Sequence, residues 1–279
     1  MNPNDNSDGE KMHAADVPAV NLRIESRGDS GCVAFVTIDN ARRLNSLNRQ
    51  LMERFADAIA DLSGRADLRA VVLTGAGGKA FVGGADIDEM AGLDAAGARA
   101  FITRVHRCCA AVRDCPVPVI ARIGGHAMGA GLELAAACDL RIAADTARFG
   151  MPEVRLGIPS VVEAALLPAL VGWGRARQML LLGETFGADD AERWGLVEQV
   201  VPHEGLDAAV EHALAALLAC GPESIRIQKQ LIRRWEDLPL REAIAAGIDA
   251  FAQAYSSEEP AAMMARFRAE HRARKTRGG

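Results

Sequence analysis

With 279 residues, 49% of them hydrophobic, and a net charge of −5, the chain can build one sizeable core plus an appendage and is not a disordered polymer. The negative balance excludes a general attraction to nucleic acid, and the cations gathered near the end (Arg266, Arg268, Arg272, Arg274, Lys275, Arg277) read as a solvated helix end. Six cysteines without a CxxC pair or metal-ligand spacing, an N-terminus without an apolar signal segment and no apolar run of ~18 residues predict a soluble cytoplasmic protein with reduced thiols, no metal site and no membrane partner.

Residues 1–20 are polar and aperiodic and read as a disordered tail. Leu22–Ser26 and Cys32–Asp39 are β-rich runs around the turn cluster Arg27-Gly28-Asp29-Ser30-Gly31, which predicts a hairpin. Asn48 is placed to cap a helix with Leu51, Phe55, Ile59 and Leu62 on one face and Gly64 as its stop. A short strand, Ala70–Gly75, leads through glycines to Phe81-Val82-Gly83-Gly84-Ala85-Asp86-Ile87, where paired glycines allow backbone close to a ligand. Asp94–Arg113 reads as a helix halted by Pro116 and Pro118. The strand Val117–Ile123 then enters the glycine-rich stretch Gly124–Gly131, which feeds an apolar helix carrying Glu133. Strand Leu140–Ala144 and the turn Phe149–Glu153 follow, and from Val161 the pattern is mostly helical apart from Leu196–Val201. Strands alternating with helices predict an α/β fold with largely parallel pairing. Four helices near 204–219, 222–235, 238–255 and 258–274 carry more apolar residues than an isolated appendage can hide, so they should pack on the core or on another subunit.

Two constellations carry chemistry. The glycine turns 83–85 and 129–131 each follow a strand, and if the fold joins them, one N–H from each can converge on a carbonyl oxygen. Glu133 interrupts an apolar helix face and Glu153 follows a proline in an apolar loop. Such carboxylates either split their pKa values to work as acid and base on one water, or are paired with arginines. His126 reads as a packed or solvent-facing side chain, and Asp86 as the cap of a short helix. No GxSxG elbow, HExxH or Walker loop is present.

From about Val33 to Pro202 the chain resembles the crotonase, or enoyl-CoA hydratase/isomerase, superfamily. The resemblance rests on Asn45-Ser46-Leu47-Asn48, Val71–Phe81, Gly84-Ala85-Asp86-Ile87, the Glu133 loop and helix with Cys138-Asp139, Phe149-Gly150-Met151-Pro152-Glu153 and Gly195-Leu196-Val197. It implies a spiral of ββα units over residues 21–203, with a helical C-terminal region, 204–279, that builds trimers or hexamers. It also implies an acyl-CoA thioester whose oxygen sits between the N–H groups of Ala85 and Ala130, and a CoA pocket lined by Ala85, Asp86, Ile87 and Asp88. Glu133 and Glu153 stand where family hydratases keep both catalytic glutamates, which favours addition of water to an enoyl-CoA without a cofactor beyond the CoA of the substrate. Other superfamily reactions (isomerase, thioester or C–C hydrolase, decarboxylase) and a non-catalytic scaffold are the competing readings.

Two departures stand out. Ala130 occupies a usual glycine position, which matters only if that residue needs positive φ. After Pro159 the usual glycine-rich segment is replaced by Ser160-Val161-Val162-Glu163-Ala164-Ala165. Glu163 either enters the acyl pocket as a third carboxylate and substrate contact or faces solvent. Added volume there predicts short or branched acyl groups; an inward Glu163 predicts a polar one.

Overall fold

The structure, a computed structural model, describes residues 17–277. Most of the predicted tail lies outside the described residues, but Ala19 and Val20 open strand β1 (Ala19–Ser26), which pairs antiparallel with β2 (Cys32–Asp39) as the predicted hairpin. Helix α1 (Arg49–Ser63) starts where expected: the Asn48 side chain accepts from the Leu51 N–H, and Leu51, Phe55, Ile59 and Leu62 are buried.

From β3 onward the chain repeats one move. A strand enters a large sheet, the next enters a small sheet, and a helix follows. β3 (Leu68–Gly75) leads to β4 (Ala80–Val82), then the one-turn α2 (Ile87–Met90) and α3 (Ala95–Asp114). β5 (Val119–Ile123) leads to β6 (His126–Met128) and α4 (Ala130–Ala137); β7 (Leu140–Ala144) leads to β8 (Arg148–Gly150), two 3₁₀ turns (Pro152–Leu156 and Val162–Leu166) and α5 (Leu167–Leu182). β9 (Thr185–Gly187), α6 (Ala188–Trp194) and β10 (Gln199–Val201) return the chain to the large sheet. The large sheet has the order β1-β2-β3-β5-β7-β10, parallel from β2 onward; the small one, β4-β6-β8-β9, is parallel except for β9. This is the expected ββα spiral.

The two-residue period of the strands divides the core. Val33, Ala70, Val72, Ile120 and Ile142 face helix α7 (Leu206–Ala219), which buries Leu206, Ala209, Val210 and Leu214 on that side. Val36, Val71, Leu73, Val119 and Ala121 face the main core with α1, α3 and α4. Helix α8 (Pro222–Trp235) is tied down by Lys229, whose buried ammonium donates to the Asp139 carboxylate at 2.7 Å and to the carbonyls of Val112 and Val117. Helices α9 (Leu240–Ala254) and α10 (Glu259–Arg277) complete the chain. Of the four terminal helices, α7 lies on the sheet and α8 joins the core through Lys229. α9 packs on α8 through Ala246 and Ala250 and presents Leu240, Ile244, Ile248, Phe251 and Tyr255 outward, each more than half exposed.

Candidate active site

The stretch before Glu133 is not one glycine loop, as the sequence implied. Residues 126–128 form β6, between a turn at Gly124-Gly125 and a second at Gly129. Pairing with β4 and β8 stitches this short strand in place, a long-range term invisible to local periodicity. Gly129 has φ 51° and ψ −122°, a conformation open essentially to glycine. A Cβ there would sit 2.5 Å from the Glu153 carboxylate. The positive φ therefore falls on Gly129, and Ala130 is an ordinary first residue of α4; alanine at 130 costs the turn nothing.

The two backbone donors are left free by their neighbours. In the first turn, the N–H of Gly83 donates to Leu44, Leu47 donates to Gly84, and Asp86 donates to Leu47, all at 2.8–2.9 Å. Asn45, fully buried, braces this crossing by donating to the carbonyls of Ala76 and Ala80. In the second turn Gly129 N–H donates to Gly150, while Leu132 and Glu133 donate back to Gly129. The Ala85 and Ala130 N–H groups donate to no acceptor among the described residues, and both residues line one cavity of about 110 Å³. Its walls include Glu133 and Glu153, with Ile87, Met90, Phe101, Ile102, Leu156 and Val161 among the apolar lining.

Glu133, in the first turn of α4, is 2% exposed and accepts the Ala164 N–H at 3.2 Å. Burial, then the nearby Glu153 charge, lifts its pKa from 4.5 to about 8 against the opposing effect of that N–H, with Glu163 adding to the rise. Glu153 sits on the 3₁₀ turn after Pro152, half-buried, and accepts the Ser160 hydroxyl at 2.8 Å. Among the described residues neither glutamate pairs with an arginine, so the ion-pair alternative is set aside.

The raised pKa has a thermodynamic signature. The folded protein keeps a proton on Glu133 that the unfolded chain releases between 4.5 and about 8. That contribution to stability is whole below the lower value and is lost as pH rises through the upper one. Glu133→Gln keeps the neutral shape at every pH, so its Tm should exceed that of the wild type by a margin that grows from about pH 5 to about pH 8. Calorimetry finding a margin that does not change with pH contradicts the assignment.

The other expected contacts divide. Ile87 joins Ala85 on the cavity wall, but Asp86 and Asp88 turn away. Asp86 caps α2, as expected, and both pair with Arg43 at 3.1 and 2.8 Å beside a separate surface groove. His126 is exposed. Glu163 fits neither sequence alternative. It is 4% exposed, does not line the cavity, and its Oε1 meets His106 Nδ1 at 2.8 Å on α3. Its neighbour Val162 has φ 39°, which for a β-branched residue costs about 1–3 kcal/mol. Asn45, His106 and Ser160 were given no role of their own from sequence; Asn45 lay within the quoted motif and Ser160 at the start of the unusual segment, while His106 carried no signal. Among the described residues no group of three or more His, Cys, Asp or Glu clusters to hold a metal.

The family model described as enoyl-CoA hydratase/isomerase matches residues 28–275. The chain is 37% identical over 239 residues to the short-chain-enoyl-CoA hydratase of Clostridium acetobutylicum, covering 85% of this chain and 91% of the relative. It is 35% identical to the crotonyl-CoA hydratase of Syntrophomonas wolfei, covering 81% and 88%. The crystal structure of an enoyl-CoA hydratase from Bacillus anthracis superposes with a TM-score of 0.84 at 30% identity, covering 90% of this chain and 96% of that one.

Proposed function

The chain belongs to the enoyl-CoA hydratase/isomerase family, and from that premise we propose that it adds water across the 2,3 double bond of an enoyl-CoA thioester and catalyses the reverse elimination. The observation that carries this reading is the single narrow cavity whose wall holds Ala85, Ala130, Glu133 and Glu153 together. Moving a double bond shuttles one proton and needs one carboxylate. Adding water needs one group to take a proton from the water and another to deliver one to carbon.

The thioester oxygen accepts the N–H groups of Ala85 and Ala130. As the water oxygen bonds to the β-carbon, negative charge builds on that thioester oxygen, where each donor contributes about 3–4 kcal/mol to the transition state. The ionised member of the glutamate pair takes the water proton and the protonated member gives its proton to the α-carbon. The pair thus ends with its proton exchanged, and the reverse reaction uses the same two groups. Burial favours the resting proton on Glu133, and the Ser160 hydroxyl orients Glu153. Coenzyme A enters as part of the substrate and the chemistry falls to protein groups. The test is a panel of trans-2-enoyl-CoA esters, with loss of the conjugated thioester absorbance and a mass gain of one water. Release of free CoA, or a shifted double bond without that gain, overturns the reading.

Val161, in place of a glycine-rich segment, stands on the cavity wall, and its added side-chain volume favours turnover of short or branched acyl groups over long straight ones. Equal kcat/KM for short and long chains removes that preference. The outward apolar stripe on α9, Leu240, Ile244, Ile248, Phe251 and Tyr255, favours assembly as a homotrimer or a pair of trimers. Sedimentation should give the trimer or hexamer mass; a monomer independent of concentration counts against it. All six cysteines are free and no described helix is long and apolar enough to cross a membrane, which favours a reducing, cytoplasmic setting.

A further inference from the structure

Three consecutive residues on the turn beside Glu133 carry unusual features. Val162 holds a β-branched residue at φ 39°. Glu163 is buried, with one oxygen on His106 and the other, Oε2, without a hydrogen-bond partner. Ala164 shares its N–H between the Val161 carbonyl at 2.9 Å and the Glu133 carboxylate at 3.2 Å. A strained backbone persists only where its surroundings over-determine it. Beside the packing of Val162 and Ala164 on the main core, the polar anchor is the 2.8 Å contact to His106, which is half exposed at the surface of α3. A buried carboxylate with a single partner loses most of its satisfaction when that partner goes, and it then seeks water. Any such movement draws the turn, and Ala164 with it, away from Glu133.

We infer that His106 and Glu163 are positioning residues that clamp the 162–166 turn to α3 and so keep the Ala164 N–H on the Glu133 carboxylate. This rests on the hydratase reading for its kinetic test but not for its structural one. Glu163 does not line the cavity, so it touches no reacting atom. The titratable groups facing Glu133 are Glu153, Glu163 with its partner His106, and the buried thiol of Cys109 on α3. The Ala164 N–H favours the ionised form of Glu133 and the Glu163 charge disfavours it, so two variants should move the alkaline limb of kcat/KM in opposite directions.

The experiment measures kcat, KM and the pH profile for a short trans-2-enoyl-CoA. His106→Ala should lower kcat about 10-fold with little change in KM and shift the alkaline limb to higher pH. His106→Asn, which restores a donor near the Nδ1 position, should recover most of the loss. Glu163→Gln keeps an acceptor for His106 but removes the charge, so kcat should stay within about threefold while the alkaline limb shifts to lower pH. Wild-type kcat and pH profile in folded His106→Ala, or no recovery in His106→Asn, overturns the inference. A Glu163→Gln loss as deep as that of Glu133→Gln also overturns it, because Glu163 would then belong to the chemistry. If His106→Ala does not fold, His106→Ser takes its place in the same measurements, with the same outcomes for and against. If the wild type adds no water to any enoyl-CoA, the hydratase reading fails. The clamp is then judged by a crystal structure of His106→Asn or His106→Ala, where an unmoved Ala164 N–H in the alanine variant overturns it.

Discussion

Glu133→Gln and Glu153→Gln each lower kcat for hydration by more than about 100-fold while a saturated acyl-CoA binds within about threefold of the wild type. The size follows from the division of labour: each glutamine preserves shape and a hydrogen-bonding oxygen but can neither accept the water proton nor return one to carbon. The two losses should not multiply in the double variant, since either change already disables a unit that exchanges one proton. Because burial raises Glu133 to about 8, kcat/KM of the wild type should fall as pH rises through that region, where the resting proton is lost. Full turnover in either single variant removes the two-carboxylate mechanism.

Gly129→Ala should cost about 100-fold in kcat/KM, the scale of a 1 Å misplacement in a reacting site. Two effects combine. Alanine resists φ 51° and ψ −122°, and its Cβ would lie 2.5 Å from a Glu153 oxygen, so the turn carrying the Ala130 donor and the second carboxylate must both give way. The same substitution at Gly92 meets no atom within 4 Å and should leave kcat/KM near the wild-type value, which makes it the control. An undiminished Gly129→Ala enzyme would show that neither the turn nor Glu153 needs its present place.

The parts legible in the sequence are those with a local cause. Asn48 capping α1, Asp86 capping α2, the hairpin and the alternation of strands with helices all followed from residue chemistry and period. The small sheet did not: β4, β6, β8 and β9 are three residues each, too short for a two-residue period to register, and they exist because neighbours pair with them. The two glutamates were legible as oddities, charges in apolar settings, but their common cavity is a product of the fold. Glu163 shows the limit most clearly. Its partner His106 lies 57 residues away on α3, and nothing local could say whether it faced water, ligand or another side chain.

The two donors leave from neighbouring strands: Ala85 follows β4 and Ala130 follows β6, which pair in parallel. Neighbouring strands lie about 4.8 Å apart, and two nitrogens at such a separation can both approach one oxygen to about 2.9 Å. The strands that lead to the two turns are thus held side by side by the hydrogen-bond ladder of a sheet. The carboxylates come from α4 and from the turn after β8, where a side chain can be exchanged without touching that ladder. On the hydratase reading, a scaffold divided in this way can change which proton moves, or to what atom, by single substitutions while the two backbone donors proposed for the thioester oxygen stay in place.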